Sequence, residues 1–305
     1  MRSLAVDDQT ARVMAALESS GIAALLLKGP VVARRLYAEH EQRFYGDTDV
    51  LVSPAEVVAA GRTLCALGYE QVGGDRAAAL IGHHGSHWRR PGSLLTVDLH
   101  HRLTGVRGSA DELWRALWQH AARMEVQGTA VRVPDTPALA LHVALHAAQH
   151  GIARKTPLRD LEHAVRRLPA DDWLAAAALA ERVDAVDAFG VGLRLLPAGE
   201  ALATQLGLPP NRSRNAALRA MAAPAVTLGA DRLSATPGVG AKARLLVGWT
   251  FPPRDFMLTW SGLARRGRPG LVLAYAWRPL VLAAQAVPGV LAWRRALRAT
   301  RREAS

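Results

Sequence analysis

Asp47 and Asp49 stand two residues apart in "GDTDVLV", residues 46–52, at the head of a β-branched run. Alternate residues of a strand share a face, so both carboxylates would project to the same side. Two like charges that close cost free energy unless a cation lies between them. A third acid, Asp98, interrupts the apolar run "LLTVDLHH". On neighbouring strands the three would form a carboxylate cup for a divalent metal, magnesium or manganese. Metals held in this way neutralise a triphosphate and align an in-line attack on it. The competing reading places Asp47 and Asp49 in a turn ahead of a strand, with Asp98 a separate solvated residue.

Other side chains collect around this lead. Lys28 is one of three lysines in a chain that otherwise uses arginine, and a compact ammonium at a strand end suits a triphosphate as a point charge. The alternative is a lysine that snorkels from the strand end. Gly29 follows it, and Arg43 precedes the acids, where it would contact phosphate or pair with Asp47. His100 shares a strand face with Asp98. Among eleven histidines, His83, His84 and His87 cluster, and His142, His146 and His150 repeat every fourth residue, on one helical face. That face either lines the acceptor side of a cleft or satisfies buried polar partners. Cys65, the single cysteine, excludes an internal disulfide, and its helical, apolar surroundings predict a buried small side chain.

The elements that must position these residues can be read in order. "DDQTARVMAALESSG" has helical spacing, "IAALLLKG" reads as a buried strand, and "PVVARRLYAEH" opens with proline at a helix's first turn. "DTDVLV" is the next strand, closed by "SPAE", where Ser53 and Glu56 predict a capping box. A helix to about Leu67, a short strand "GYEQVG" and a hairpin around Pro91-Gly92-Ser93 follow. A helix near "DELWRALWQHAARM" and a strand "TAVRV" end this part, and the rest is helical and alanine-rich. We expect an α+β front over residues 1–133, a helical domain over 134–240 and a basic, tryptophan-containing helical tail over 241–305.

The succession "LLKG", "LY", Arg43, "GDTDVLV" and "VDLH", continued by "LHVALHAAQHG" and "LRDLEHAV", resembles the bacterial family of uncharacterised nucleotidyltransferases. The resemblance covers about residues 20–168. It implies a mixed sheet flanked by helices, with Asp47, Asp49 and Asp98 as metal-binding acids, and a contact of the Arg159-Asp160 region across the domain interface. One departure stands out. The superfamily places Gly-Ser on the first strand-to-helix turn, whereas this chain has Gly29-Pro30.

The resemblance implies a magnesium-dependent transfer of a nucleoside monophosphate from an NTP, such as ATP, to an acceptor, with pyrophosphate leaving. Asp47, Asp49 and Asp98 would hold metal, Asp98 would help deprotonate the acceptor hydroxyl, and Lys28, Gly29, Arg43 and His100 would meet the nucleotide. A sugar, a modified peptide and a protein side chain all stay open as acceptor. The rival is a catalytically silent nucleotide-binding or interaction module on the same fold, which the missing Gly-Ser favours.

Charge is distributed unevenly. The net charge is +12, and from residue 241 onward twelve basic residues face two acidic ones, leaving +10 in the tail. Arginines interleaved with Trp249, Trp260, Trp277 and Trp293 suit a membrane surface or an acidic partner, or a solvated basic end. Arg278, Gln285 and two prolines argue against a membrane crossing in "GLVLAYAWRPLVLAAQAVPGVLAWRR". No recognisable nucleic-acid-reading motif is present. "MRSLAVDDQT" lacks a long apolar core, so a cytoplasmic protein, peripheral at a membrane through its tail, is the expectation.

Overall fold

A computed structural model describes residues 2–72, 85–210 and 236–302, with the single positions 218, 227 and 233. His83 and His84 lie outside the described residues. The front of the chain runs α1 (Arg2–Ser19), β1 (Ala24–Leu26), α2 (Pro30–Leu36), β2 (Asp47–Val52), α3 (Val57–Ala66), β3 (Glu70–Val72), β4 (Gly85–Arg89) and β5 (Thr96–His100). The strands form one mixed sheet in the order β1-β2-β5-β4-β3. Only β2 and β5 run parallel. A parallel pair needs a long crossover, and the segment from α3 to β4 supplies it.

Each strand is short, and its apolar residues fix its place. Leu25, Leu26, Val50, Leu51, Val52 and Val97 are fully buried. Thr48, between the two acids of β2, faces α1 instead. Its hydroxyl accepts from Gln9 Nε2 at 3.1 Å and lies 2.9 Å from Thr10 Oγ1, while Gln9 Nε2 also donates to the Thr96 carbonyl at 2.9 Å. The threonine thus ties β2 to the helix behind the sheet.

A second unit of helices follows α4 (Ala110–Gln119) and the hairpin β6 (Ala122–Val126) and β7 (Thr129–Val133). β6 was not expected. Its turn, Gln127-Gly128, has positive φ at both positions, the geometry of a two-residue hairpin. Next come α5 (Thr136–His150), α6 (Lys155–Arg167), α7 (Ala170–Arg182), α8 (Val186–Leu193) and α9 (Pro197–Gln205). Asp135 caps α5 by accepting from Ala138 N at 2.9 Å. α5 is buried on nearly every side, packed by α6, α7 and α8. Gly192 of α8 permits this approach, because a Cβ there would run into the Ala144 carbonyl. One hydrophobic cluster runs from Val13 through α5 to Leu208. The tail contains α10 (Val239–Thr250), α11 (Arg254–Trp260) and α12 (Gly267–Arg302), with a small cluster of Met257, Ala264 and Ala274.

Two local expectations are corrected. Pro54–Glu56 forms a 3-10 turn, and the Ser53 hydroxyl donates to the Glu56 carboxylate at 2.6 Å rather than accepting from a backbone N–H. Glu56 is occupied elsewhere as well, accepting from Ala23 N at 3.3 Å. Cys65 is exposed, because the buried stripe of α3 passes through Ala60, Gly61 and Leu64.

Candidate functional site

Strand register assembles the three acids. The parallel pairing of β2 with β5 sets Asp49 opposite Asp98, and the antiparallel pairing of β5 with β4 sets His87 opposite Asp98. Asp47 and Asp49 share a face by strand alternation. Lys28 follows β1 at its site end, where Leu27 N donates to the Asp49 carbonyl at 2.9 Å.

Asp49 is the centre. It is 1% exposed, and its Oδ1 accepts from Lys28 Nζ at 2.7 Å and lies 3.1 Å from His100 Nε2. Its Oδ2 is buried with no protein partner. An unsatisfied carboxylate oxygen in such a place costs roughly 1–3 kcal/mol or more. Burial works to raise the Asp49 pKa, yet Lys28 and His100 outweigh it and hold the carboxyl well below its usual range. Asp47 moves the other way, pushed up by burial and then by the neighbouring Asp49 charge. Burial disfavours the Lys28 ammonium, but its contacts with Asp49 prevail and raise its pKa. His87 Nδ1 lies 2.6 Å from Asp98 Oδ1, a bond that raises the imidazole above its ordinary value against the effect of burial. Ligand atoms of Asp49, Asp98 and His100 all lie within 4.8 Å of one another, close enough to hold one metal ion.

α5 faces this cup. A cavity of about 190 Å3 is bounded by Lys28, Asp47, Asp49 and Asp98 on one side and by Thr104, His142, His146 and Gln149 on the other. The His142 and His146 rings stack at 6.2 Å, and His146 meets His150 edge-on at 4.7 Å. Both ring nitrogens of His142 are buried without a protein partner. Burial, then the Lys28 charge, depresses the His142 pKa to about 3, and the same causes keep His146 well below its ordinary value. Both rings are therefore neutral near pH 7. A larger cavity of about 300 Å3, lined by Met14, Trp118, Arg123 and Arg132, lies away from the three acids.

Arg43 pairs with Asp160 and not with Asp47. Its Nε and Nη2 donate to the two Asp160 oxygens at 2.7 and 2.6 Å, so neither Asp47 nor open solvent holds it. Tyr37 OH also donates to Asp160 Oδ1 at 2.7 Å, and the Tyr37 ring stacks on His163 at 4.0 Å. Asp160, in α6, thereby clamps the segment between α2 and β2 to the helical unit. Arg43, Tyr37, Asp160 and His163 form a polar cluster, and through Asp160 it makes the contact across the interface that the resemblance implied. The tie to the site is Gly29, whose carbonyl lies 3.5 Å from Arg43 Nη1. Gly29 has φ +64°, a conformation that favours glycine, and precedes Pro30 at the first turn of α2.

No curated protein matches this chain. Among solved structures it is similar to the antibiotic-resistance factor ANT(2'')-Ia in solution, with 14% identity over 59% of this chain and 96% of that one, at a TM-score of 0.42. It is similar to ANT(2'')-Ia in complex with adenylyl-2''-tobramycin, with 13% identity, 58% and 97% coverage and a TM-score of 0.40. An antigenic nucleotidyltransferase-like protein from Paracoccidioides brasiliensis shares 18% identity over 60% of this chain and 91% of its own, at a TM-score of 0.37. The model of one family, described as uncharacterised nucleotidyltransferase, matches residues 1–198, a span that holds the sheet, the three aspartates and the histidine face of α5. The chain belongs to that nucleotidyltransferase family.

Proposed function

We propose that the protein transfers a nucleoside monophosphate from an NTP to a hydroxyl of a hydroxyl-rich acceptor that is not a polycation. The observation that carries this reading is Asp49 Oδ2, a buried carboxylate oxygen with no protein partner, beside Asp98 and His100. An orphaned oxygen in a cluster of ligand atoms suits a divalent cation. Two carboxylates favour magnesium, and the added imidazole suits manganese as well. Asp49, Asp98 and His100 would hold it, and Asp47, on the same face of β2, would stand beside them in the cup. When bound, such a cation neutralises the triphosphate and polarises the α-phosphorus.

The chain's own groups do the rest. Lys28, fixed as an ammonium, offsets charge that builds on the departing pyrophosphate, and Gly29 leaves room for the nucleotide's approach. His87 engages Asp98 Oδ1, so the other oxygen is left to take the acceptor's hydroxyl proton. The acceptor oxygen then bonds to the α-phosphorus as the bond from that phosphorus to the bridging oxygen breaks. The electron pair and the charge leave with pyrophosphate. Arg43 acts as a positioning residue through Asp160 and Gly29.

The acceptor class follows from the α5 wall. Thr104, His142, His146 and Gln149 offer neutral donors and acceptors, and Arg102 adds positive charge. Among the described residues no carboxylate lines that side, which supports an uncharged polyol or a sugar bearing an anionic group over a polycation. Incubation with each NTP, Mg²⁺ and a panel of a neutral oligosaccharide, a sugar phosphate and an aminoglycoside, followed by mass spectrometry, tests this. A mass gain of one nucleoside monophosphate on either of the first two is expected. Exclusive modification of the aminoglycoside contradicts the acceptor class. Pro30, which lacks the N–H and hydroxyl of a Gly-Ser turn, favours the second reading, a silent nucleotide-binding module. Tight NTP binding with no product from any acceptor or extract selects it.

A further inference from the structure

The last helix of the chain leaves one side uncovered. Val272, Leu273, Trp277, Leu280, Val287, Val290 and Leu291 of α12 are exposed. At about 100° per residue these positions fall within an arc of about 140°. Eleven of the seventeen exposed large hydrophobic residues lie from Val239 onward, so the exposure is concentrated in the tail. The two polar residues that interrupt the run, Arg278 and Gln285, fall roughly 150–170° from the centre of the arc. Arg278 is buried. Its Nε donates to the Trp249 carbonyl at 2.8 Å, and its guanidinium lies 4.7 and 4.8 Å from the Phe256 and Trp260 ring centres. Tyr275 OH donates to the Pro252 carbonyl at 2.7 Å. Arg278 and Tyr275 are thus turned onto the tail's own residues, while the apolar arc between Val272 and Leu291 faces outward.

We propose that α12 docks the protein on an anionic membrane, lying in the plane of the interface with its apolar arc among the acyl chains. The charge pattern selects this occupant. In sequence, Arg265, Arg266 and Arg268 precede the arc and Arg294, Arg295, Arg298, Arg301 and Arg302 follow it, a basic run on either side that suits headgroup phosphates. A second copy of the chain is disfavoured by the same pattern, because two α12 faces paired in either direction set arginine clusters against each other. The stretch Gly267–Leu291 is long and apolar enough to cross a bilayer. Crossing would strip Arg278 of Trp249, Phe256 and Trp260, whereas the in-plane position keeps those contacts.

Flotation of the full-length protein with phosphatidylcholine vesicles, with and without phosphatidylglycerol, tests the proposal. Binding is expected to require the anionic lipid, to weaken in high salt and to be released by alkaline carbonate. Leu280→Glu and Leu273→Glu, both at exposed positions, should retain the wild-type melting temperature and lose about tenfold or more in vesicle partitioning. Leu174→Glu, an exposed site on α7, should bind as wild type. Four results overturn the proposal: no binding to any vesicle, unchanged binding in both glutamate variants, retention after carbonate, or a vesicle-independent dimer that the same variants dissolve.

Discussion

Lys28 Nζ lies 2.7 Å from Asp49 Oδ1, so the most buried acid of the site carries a counter-ion supplied by the fold itself. Removing the ammonium leaves a carboxylate in a buried place without its charge partner. Lys28→Met should therefore weaken NTP binding by roughly 1.5–3 kcal/mol, the scale of a charge-assisted hydrogen bond. It should also lower the melting temperature in the absence of metal. Mg²⁺ should raise that temperature more in Lys28→Met than in wild type, since the cation takes over the charge at Asp49. Calorimetry and melting curves with and without Mg²⁺ read both effects, and equal Mg²⁺ responses would remove the lysine from this role.

The two acids of β2 should separate in stability, although the proposed transfer calls on both. Asp49→Asn breaks the contacts to Lys28 and His100 and should cost about 3–5 kcal/mol in the metal-free protein, as when one partner of a buried pair is lost. Asp47→Asn removes a charge that Asp49 repels. Its metal-free melting temperature should equal or exceed the wild-type value by about 1–3 °C. Equal destabilisation by both substitutions would contradict the asymmetry.

Arg43 and Asp160 should behave as a structural clamp with an indirect reach to the site. Asp160→Asn and Arg43→Lys each break the two-point contact, and loss of one partner of a buried pair costs about 3–5 kcal/mol. A double-mutant cycle on unfolding should give strong coupling between them. NTP affinity should change by less than about tenfold in the variants that stay folded. A much larger loss of NTP affinity in Arg43→Lys, without loss of stability, would make Arg43 a phosphate ligand.

Much of this site is legible in the chain because its information is local. Asp47 and Asp49 precede an apolar β-branched run, and period-two alternation alone puts them on one face. Asp98 lies in a second such run, and the strand "DTDVLV" is observed with the expected limits. The pairing of β2 with β5 is not local, so the opposition of Asp49 and Asp98 became visible only with the fold. The same holds for Arg43, whose partner is 117 residues away. Cys65 was misplaced because α3 buries only a narrow stripe, and one residue of rotation moves a side chain from core to solvent. β6 was missed because Gln-Gly is a weaker turn signal than Asn-Gly, and its alternating half-buried residues resemble the end of the preceding helix.

Acid should destabilise the protein partly through the α5 histidines. The His142 pKa is depressed to about 3 in the fold, against about 6.5 in an unfolded chain. Between those values the unfolded chain binds a proton that the folded protein refuses, so stability falls as pH drops from about 6.5 toward 3. The ring faces Lys28, Arg43 and His100, which oppose its protonation, and Asp49, which favours it. His142→Gln should flatten the acid limb of a stability-versus-pH curve by up to about 1.4 kcal/mol per pH unit. An unchanged slope in urea titrations across that range would show that the histidine is protonated in the fold.

The most direct test of nucleotidyl transfer at this carboxylate cup follows the position of the label in NTP. Wild-type protein is incubated with Mg²⁺, a cell extract or the acceptor panel, and NTP labelled at either the α- or the γ-phosphate. The α-label should appear on the acceptor and the γ-label in pyrophosphate, and both products should be absent with Asp49→Asn. A γ-label on the acceptor, release of the γ-label as orthophosphate alone, or undiminished transfer by Asp49→Asn would contradict the account.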